Sequence, residues 1–281
     1  MQTQKQMLYA GLMALSLATA QAAGDAKKIV VDGSTTVGPI AKAFAEYYMK
    51  AHPDVNITVS ESGSGNGAKG IINGACDVGT MSRAMKTEEL DAAKEKKRDP
   101  IQHTVAYDGI AVVVHPSNPV KNLSKDQLRD IYTGEIKNWK ALGGPDLKIV
   151  VISRDTNSGT YETFQEKVTK SERVTDRAEY VGSNGAVRQR VQSTPAAIGY
   201  VGLAFTDGVK ALTINEIEAT AENVLALDPA TKRSKYPISR GLFMYTAGEP
   251  AAGTPLGDYV NLFKTADGKK IVAEQGYVPV Q

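Results

Sequence analysis

Residues 59–70 read VSESGSGNGAKG. The stretch before them, NITVSES, alternates apolar and polar residues, and the stretch after them runs into Ile71 and Ile72. Alternation, then a turn of small residues, then an apolar segment spells strand, loop and helix. Gly65, Gly67 and Gly70 also make an unbroken G-x-G-x-x-G. Glu88 follows at about the spacing of ~20 residues that a dinucleotide fingerprint wants. Two features argue against a nucleotide. Gly74 closes the predicted helix AKGIING after about two turns, and no G-K-[ST] follows to make a triphosphate loop. The stretch is read as part of a site for a smaller anion, with no cofactor.

Working outward, the same design recurs. VVDGSTTVGP, VSESGSGNGAKG and VISRDTNSGTYETF each carry a predicted strand into a turn of hydroxyl and glycine residues and then into a helix. A helix N-terminus presents unpaired N–H groups and a partial positive charge, and Ser and Thr add hydroxyl donors of little bulk. Three such ends aimed at one point would replace the hydration shell of a small oxyanion. Arg154 ends the third of these strands, and Arg83 follows the strand before TMSRAM. Either guanidinium could make a paired contact with a tetrahedral anion. Each feature also has a plainer role: Ser34, Ser64 and Ser158 as helix N-caps, the two arginines as surface ion pairs.

The remaining chain alternates strands and helices. Strands are predicted at KKIVVDG, ACDVGTMS, HTVAYDGIAVVVHP, LKIVVISR, AAIGYVGLAF, KALTI and LFMYTA. Helices are expected at 36–49, 87–98, LSKDQLRDIYTG (with a Ser124/Gln127 capping box), 160–170, GSNGAVRQRVQS and 255–274. This is an α/β pattern. Two lobes that share the chain discontinuously fit it, 23–107 plus 205–281 and 108–204, with crossings at the long strands near 105–114 and 197–204.

Composition bounds the rest. The chain has 281 residues, 42% of them hydrophobic, enough for one or two cores. Net charge is only +2, too little for a general nucleic-acid binder. Residues 1–22 carry one Lys, an apolar run and Ala20-Gln21-Ala22, the layout of an export signal. The mature chain is therefore expected to be periplasmic or secreted. Cys76 is the single cysteine and can form no internal disulfide. His52, His103 and His115 show no metal-ligand spacing.

At DGSTTVGPIAKAFA, SGSGNGAKG, DVGTMSRAM, YDGIAVVVHPSNP, the IYTGEIKNW block, RDTNSGT, AIGYVG and YPISRGLFMYT, the sequence resembles the periplasmic phosphate-binding proteins of ABC-type phosphate importers, the PstS-like family. The resemblance implies a two-lobed type II periplasmic binding protein fold with crossing hinge strands. It implies inorganic phosphate held in the inter-lobe cleft, delivery to a membrane permease, a monomer, and no catalysis. Its anion contacts would be Ser34, Thr35, Ser64, Arg154, Ser158, Gly159 and Thr160, with Ser82, Arg83 and Asp108 as further candidates. Backbone N–H groups of Thr35, Gly159 and Thr160 would join them. One departure stands out: well-known members carry an Asp directly after the Ser of the turn that follows the strand ACDVGTMS, where in this chain Ser82 is followed by Arg83. With that acceptor gone, Asp108 and then Asp155 are the candidates to replace it. Other readings of the same residues are a binder of sulfate or molybdate, a secreted phosphatase, and an envelope or adhesion protein on this fold.

Overall fold

The computed structural model describes residues 27–281, so the export signal expected at 1–22 lies outside the described residues. Strands β1 (Lys28–Gly33), β2 (Asn56–Ser60) and β3 (Val78–Met81) are connected through helices α1 (Gly38–Ala51) and α2 (Ser64–Asn73). Helix α3 (Thr87–Glu95) leads into the long β4 (Pro100–Val114). Then come β5 (Asn122–Leu123), α4 (Lys125–Thr133), β6 (Val150–Arg154), α5 (Gly159–Phe164), β7 (Glu179–Val181), α6 (Asn184–Gln192) and β8 (Ala197–Gly202). Short β9 (Lys210–Ala211), β10 (Thr213–Ile214) and α7 (Ala221–Leu225) precede β11 (Ser239–Ala247), α8 (Pro255–Asn261), α9 (Ala266–Glu274) and β12 (Val278–Pro279).

One sheet runs β2-β1-β3-β11-β4-β8-β6-β7. β1 pairs parallel with β2 and β3 on either side. β6 likewise pairs parallel with β7 and β8. β11 lies antiparallel between these two groups, against β3 and β4.

β4 belongs to both halves of the molecule. Its first part, up to Gly109, pairs with β11, and its second part, from Ile110, pairs with β8. The second part is buried on both faces. Ile110, Val112 and Val114 point into one core, and Ala111 and Val113 into another on the opposite face. That split follows from the strand period of two. Val105 and Ala106 of the first part instead join Ile29, Val31, Phe44, Leu242 and Met244 in a core against α1.

Three expectations need correcting. The helix expected from Ala68 begins at Ser64, so all three glycines of the G-x-G-x-x-G lie inside it. The single helix expected at 255–274 is two helices, because Thr265 caps the Gly268 N–H and restarts the spiral. The stretch 205–238, read from sequence as first-lobe, packs elsewhere: Leu212, Ile214, Val224, Tyr236 and Ile238 sit in the core with Ile110 and Val112. Ile238 lies in the core with Ile110 while Leu242 lies in the core against α1, and β8 places Ile198 and Tyr200 in the first of these and Ala197 and Val201 in the core on its opposite face, with Ala111 and Val113. Apolar alternation marks such segments as buried, but it does not say against which core.

Candidate functional site

In an open α/β sheet, ligands sit beyond the carboxyl ends of the strands where the chain reverses its direction of winding. This sheet has two such points. One is the end of β1, between β2 and β3; the other is the end of β6, between β7 and β8. The chain leaves β1 into Ser34-Thr35-Thr36 and leaves β6 at Arg154, and the two ends face each other.

Between them lies a small, tight pocket lined by Ser34, Thr35, Thr36, Gly63, Ser64, Ser82, Arg154, Ser158, Gly159 and Thr160. Ser34, Ser64 and Ser158 thus converge on one space, from three different turns. The N-cap role suggested by sequence holds for Ser158, whose Oγ accepts from the Tyr161 N–H at 3.3 Å. Ser34 Oγ accepts from the Thr36 and Val37 N–H groups at 3.1 and 3.3 Å. Ser64 is the first residue of α2 rather than its cap, and its Oγ accepts from the Ser82 N–H at 3.1 Å. A hydroxyl that accepts in this way still keeps its proton to donate, so capping and ligand contact are compatible. Gly159 and Thr160 open α5, where N–H groups have no partner within the helix.

Arg154 is the one charged residue of the lining, and it is only 1% exposed. Its Nε donates to the Val181 carbonyl at 3.2 Å and its Nη2 to the Gly182 carbonyl at 2.9 Å. Its Nη1 is buried with no partner. Tyr200 braces the residue from below, its hydroxyl accepting from the Arg154 N–H at 3.1 Å and pairing with Ser153 Oγ at 2.9 Å. Burial pushes the guanidinium pKa down to about 10; Tyr200 and Asp155 push it the other way, and Arg240 adds to the depression. A buried cation with an unmet donor is costly unless an anion meets it.

The glycines of the opening motif have a packing role. A Cβ on Gly67 would lie 2.7 Å from the Thr80 carbonyl oxygen and 3.1 Å from that of Asp32. Only glycine lets α2 lie this close across β1 and β3, which brings Ser64 to the pocket.

Two of the further candidates sit elsewhere. Arg83 does not line the pocket: Glu89 takes both of its Nη atoms at 2.7 Å, and Glu162 lies 2.8 Å from its Nε. Asp108 is fully buried behind the wall, where its Oδ2 accepts from Arg240 Nε at 3.0 Å and Nη2 at 2.8 Å, and its Oδ1 from the Leu203 N–H. Burial pushes the Asp108 carboxyl up, with Arg240 and backbone N–H groups opposing. Asp155 is not in the lining either; its Oδ1 accepts from the Asn157 N–H. Ser82 does line the pocket.

Sequence reasoning did not single out Thr36, Gly63, Asn184 or Arg240. Arg240 Nη1 donates to Thr160 Oγ1 at 2.9 Å, and its Nη2 lies 3.4 Å from Thr36 Oγ1. Asn184 Nδ2 donates to Thr35 and Thr36 Oγ1, both at 3.0 Å. The signal for Arg240 was a charge set directly against the apolar strand LFMYT; the signal for Asn184 was a small amide at the start of a helix. Among the described residues no group of three His, Cys, Asp or Glu could hold a metal ion.

Comparison with known proteins supplies relatives. The PBP superfamily domain matches residues 18–263. The phosphate-binding protein PstS of Bacillus subtilis is 35% identical over 260 residues, 90% of this chain and 80% of that protein. PstS of Borreliella burgdorferi is 30% identical over 271 residues, 92% of each. Among solved structures, a protein assigned as a phosphate ABC transporter substrate-binding protein, with bound phosphate, from Clostridium perfringens superposes with a TM-score of 0.82. It is 36% identical and covers 90% of this chain and 100% of its own. An ABC-type phosphate transport receptor from Vibrio cholerae gives a TM-score of 0.70 at 30% identity, over 89% and 99% of the two chains.

Proposed function

The chain belongs to the PBP superfamily and, within it, to the PstS phosphate-binding proteins, and from that premise we propose that it captures inorganic phosphate in the pocket between β1 and β6. The observation that carries the reading is the orphaned Nη1 of a buried Arg154, set among hydroxyls and helix N-termini from three turns. The residues that would hold the anion are Ser34, Thr35, Ser64, Ser82, Arg154, Ser158, Gly159 and Thr160. Thr36 and Gly63 complete the wall.

In this reading the molecule works as two lobes hinged at β4 and at the return near Ile238–Leu242. One lobe contains residues 27–107 and β11 onward; the other contains 108–238. Open lobes admit the anion, and charge-assisted hydrogen bonds from both then favour the closed state. The closed monomer presents both lobes to the membrane permease of an ABC importer, outside the cytoplasm. No chemical step is required. A phosphatase would need a base beside one of the hydroxyls or a metal, and the lining consists of Ser, Thr, Gly and Arg alone.

Isothermal titration of phosphate into the protein and into Arg154→Ala tests the assignment. Losing a buried charged contact should cost roughly 2–5 kcal/mol of binding. An unchanged affinity would remove Arg154 from the site.

A further inference from the structure

Accepting that the pocket holds phosphate, we propose that Asn184 and Arg240, standing behind the wall, turn the hydroxyls of Thr35 and Thr160 into donors toward the pocket, so that the site selects a tetrahedral oxyanion by size and charge and does not reject one that carries no proton.

A hydroxyl oxygen has one proton and two lone pairs. Ser34 Oγ accepts from two backbone N–H groups, of Thr36 and Val37, so only its proton is free. Thr36 Oγ1 accepts from Asn184 Nδ2 and, at the longer 3.4 Å, faces Arg240 Nη2. Its own proton then goes to Thr160 Oγ1, 3.1 Å away. Thr160 Oγ1 in turn accepts from Arg240 Nη1 at 2.9 Å, and its remaining proton has the pocket to point into. Thr35 Oγ1 accepts from Asn184, Ser158 Oγ from the Tyr161 N–H and Ser64 Oγ from the Ser82 N–H.

The two residues that set this polarity are themselves locked. The Asn184 Oδ1 accepts from the Gly202 N–H at 3.2 Å, so a turned amide would set donor against donor. Arg240 is held by the paired contact with Asp108. The stronger acceptors of the neighbourhood are engaged elsewhere. The carbonyls of Ser34, Gly63 and Ser158 accept from the N–H groups of Gly38, Gly67 and Glu162. The Ser82 carbonyl accepts from Arg240 Nη1 at 3.3 Å. A proton on the bound anion meets mostly donors: among the pocket-lining groups no carboxylate faces it, and the acceptors left are spare lone pairs of neutral hydroxyls, Ser82 Oγ among them, which also pairs with Ser64 Oγ at 3.3 Å. Sulfate carries no proton and avoids the conflict.

The test is a competition titration on the purified protein with inorganic phosphate and inorganic sulfate, followed by the same pair on Asn184→Asp. Wild type is expected to bind sulfate within about tenfold of phosphate. Phosphate binding that persists unchanged in about a hundredfold excess of sulfate overturns the proposal while leaving the phosphate reading intact. Failure of both anions to bind overturns both. In Asn184→Asp the new carboxylate accepts from Thr35 and Thr36 and frees their lone pairs toward the anion. The preference for phosphate over sulfate should then rise by at least about tenfold. Equal weakening of both anions makes Asn184 a packing group and overturns its positioning role. Should that variant fail to fold by its melting curve, Asn184→Ala must move the preference in the same direction, and an unmoved ratio counts against the proposal.

Discussion

Arg154 is a residue whose ordinary environment would be water, held by two carbonyls in a place where its third nitrogen has no partner. Burial has already lowered its pKa to about 10. The guanidinium stays charged at neutral pH and is lost as pH rises through that value, so anion affinity should hold to about pH 9 and fall steeply above about pH 10. Phosphate titrations across that range check it; a flat profile would mean that Arg154 keeps its proton through this range, so that burial does not depress its pKa this far. Gly159 offers a second check. A Cβ there would sit 2.5 Å from Ser64 Oγ and 2.8 Å from Ser82 Oγ, atoms of the facing turns. Gly159→Ala should therefore lower phosphate affinity by about tenfold or more, while the melting temperature without anion changes little, since alanine suits the first turn of a helix. A large loss of melting temperature instead would show that the clash lies within the fold.

At the scale of elements, the pocket exists because two strands each have parallel neighbours on both sides. Their carboxyl ends are the places where the chain must leave in a turn and start a helix. The helices are ended and begun by local devices. Ser124 Oγ accepts from the Gln127 N–H at 3.0 Å and Gln127 Oε1 accepts from the Ser124 N–H at 2.9 Å, closing the box expected from sequence. Gly134 then terminates α4 in the left-handed conformation at φ 91°. Ser124→Ala should cost about 1 kcal/mol, or a fall in melting temperature of about 2–4 °C for a chain of this size. Phosphate affinity should be unchanged, because α4 does not reach the pocket. A change in affinity would point to coupling between α4 and the cleft. The α4 box was legible because it is contained in four consecutive residues. The start of α2 was not, since its glycines are tolerated only through tertiary contacts with β1 and β3.

For the whole molecule, the turns after β1 and β2 touch the turn after β6. The Gly65 N–H donates to the Asn157 carbonyl at 3.0 Å, and Thr36 meets Thr160 at 3.1 Å. At the rim Glu162 of α5 pairs with Arg83 at 2.8 Å and Lys86 at 3.0 Å, both from the turn after β3. Arg83 and Glu162 are 9% and 19% exposed, so the group is better shielded than a surface pair but still screened by solvent. Glu162→Gln should weaken phosphate binding by roughly 1 kcal/mol at low salt and by less at high salt. Stopped-flow release should show the change mainly as faster dissociation. A loss independent of salt would assign Glu162 to packing.

The amino-acid sequence determined the alternating architecture, the three hydroxyl-rich strand-to-helix turns and the arginine at the end of β6, because these are carried by local period and by turn chemistry within a few residues. Ser34, Ser64, Arg154 and Ser158 were legible for that reason, and the structure brings them to one pocket. Tertiary structure alone decided the partners. Arg83 went to two glutamates, and Asp108 went to Arg240 more than a hundred residues away. Leu212, Ile214, Val224, Tyr236 and Ile238 joined the core around Ile110 and Val112. A charge announces in the sequence that it needs a counter-charge, but burial and sheet order choose which one.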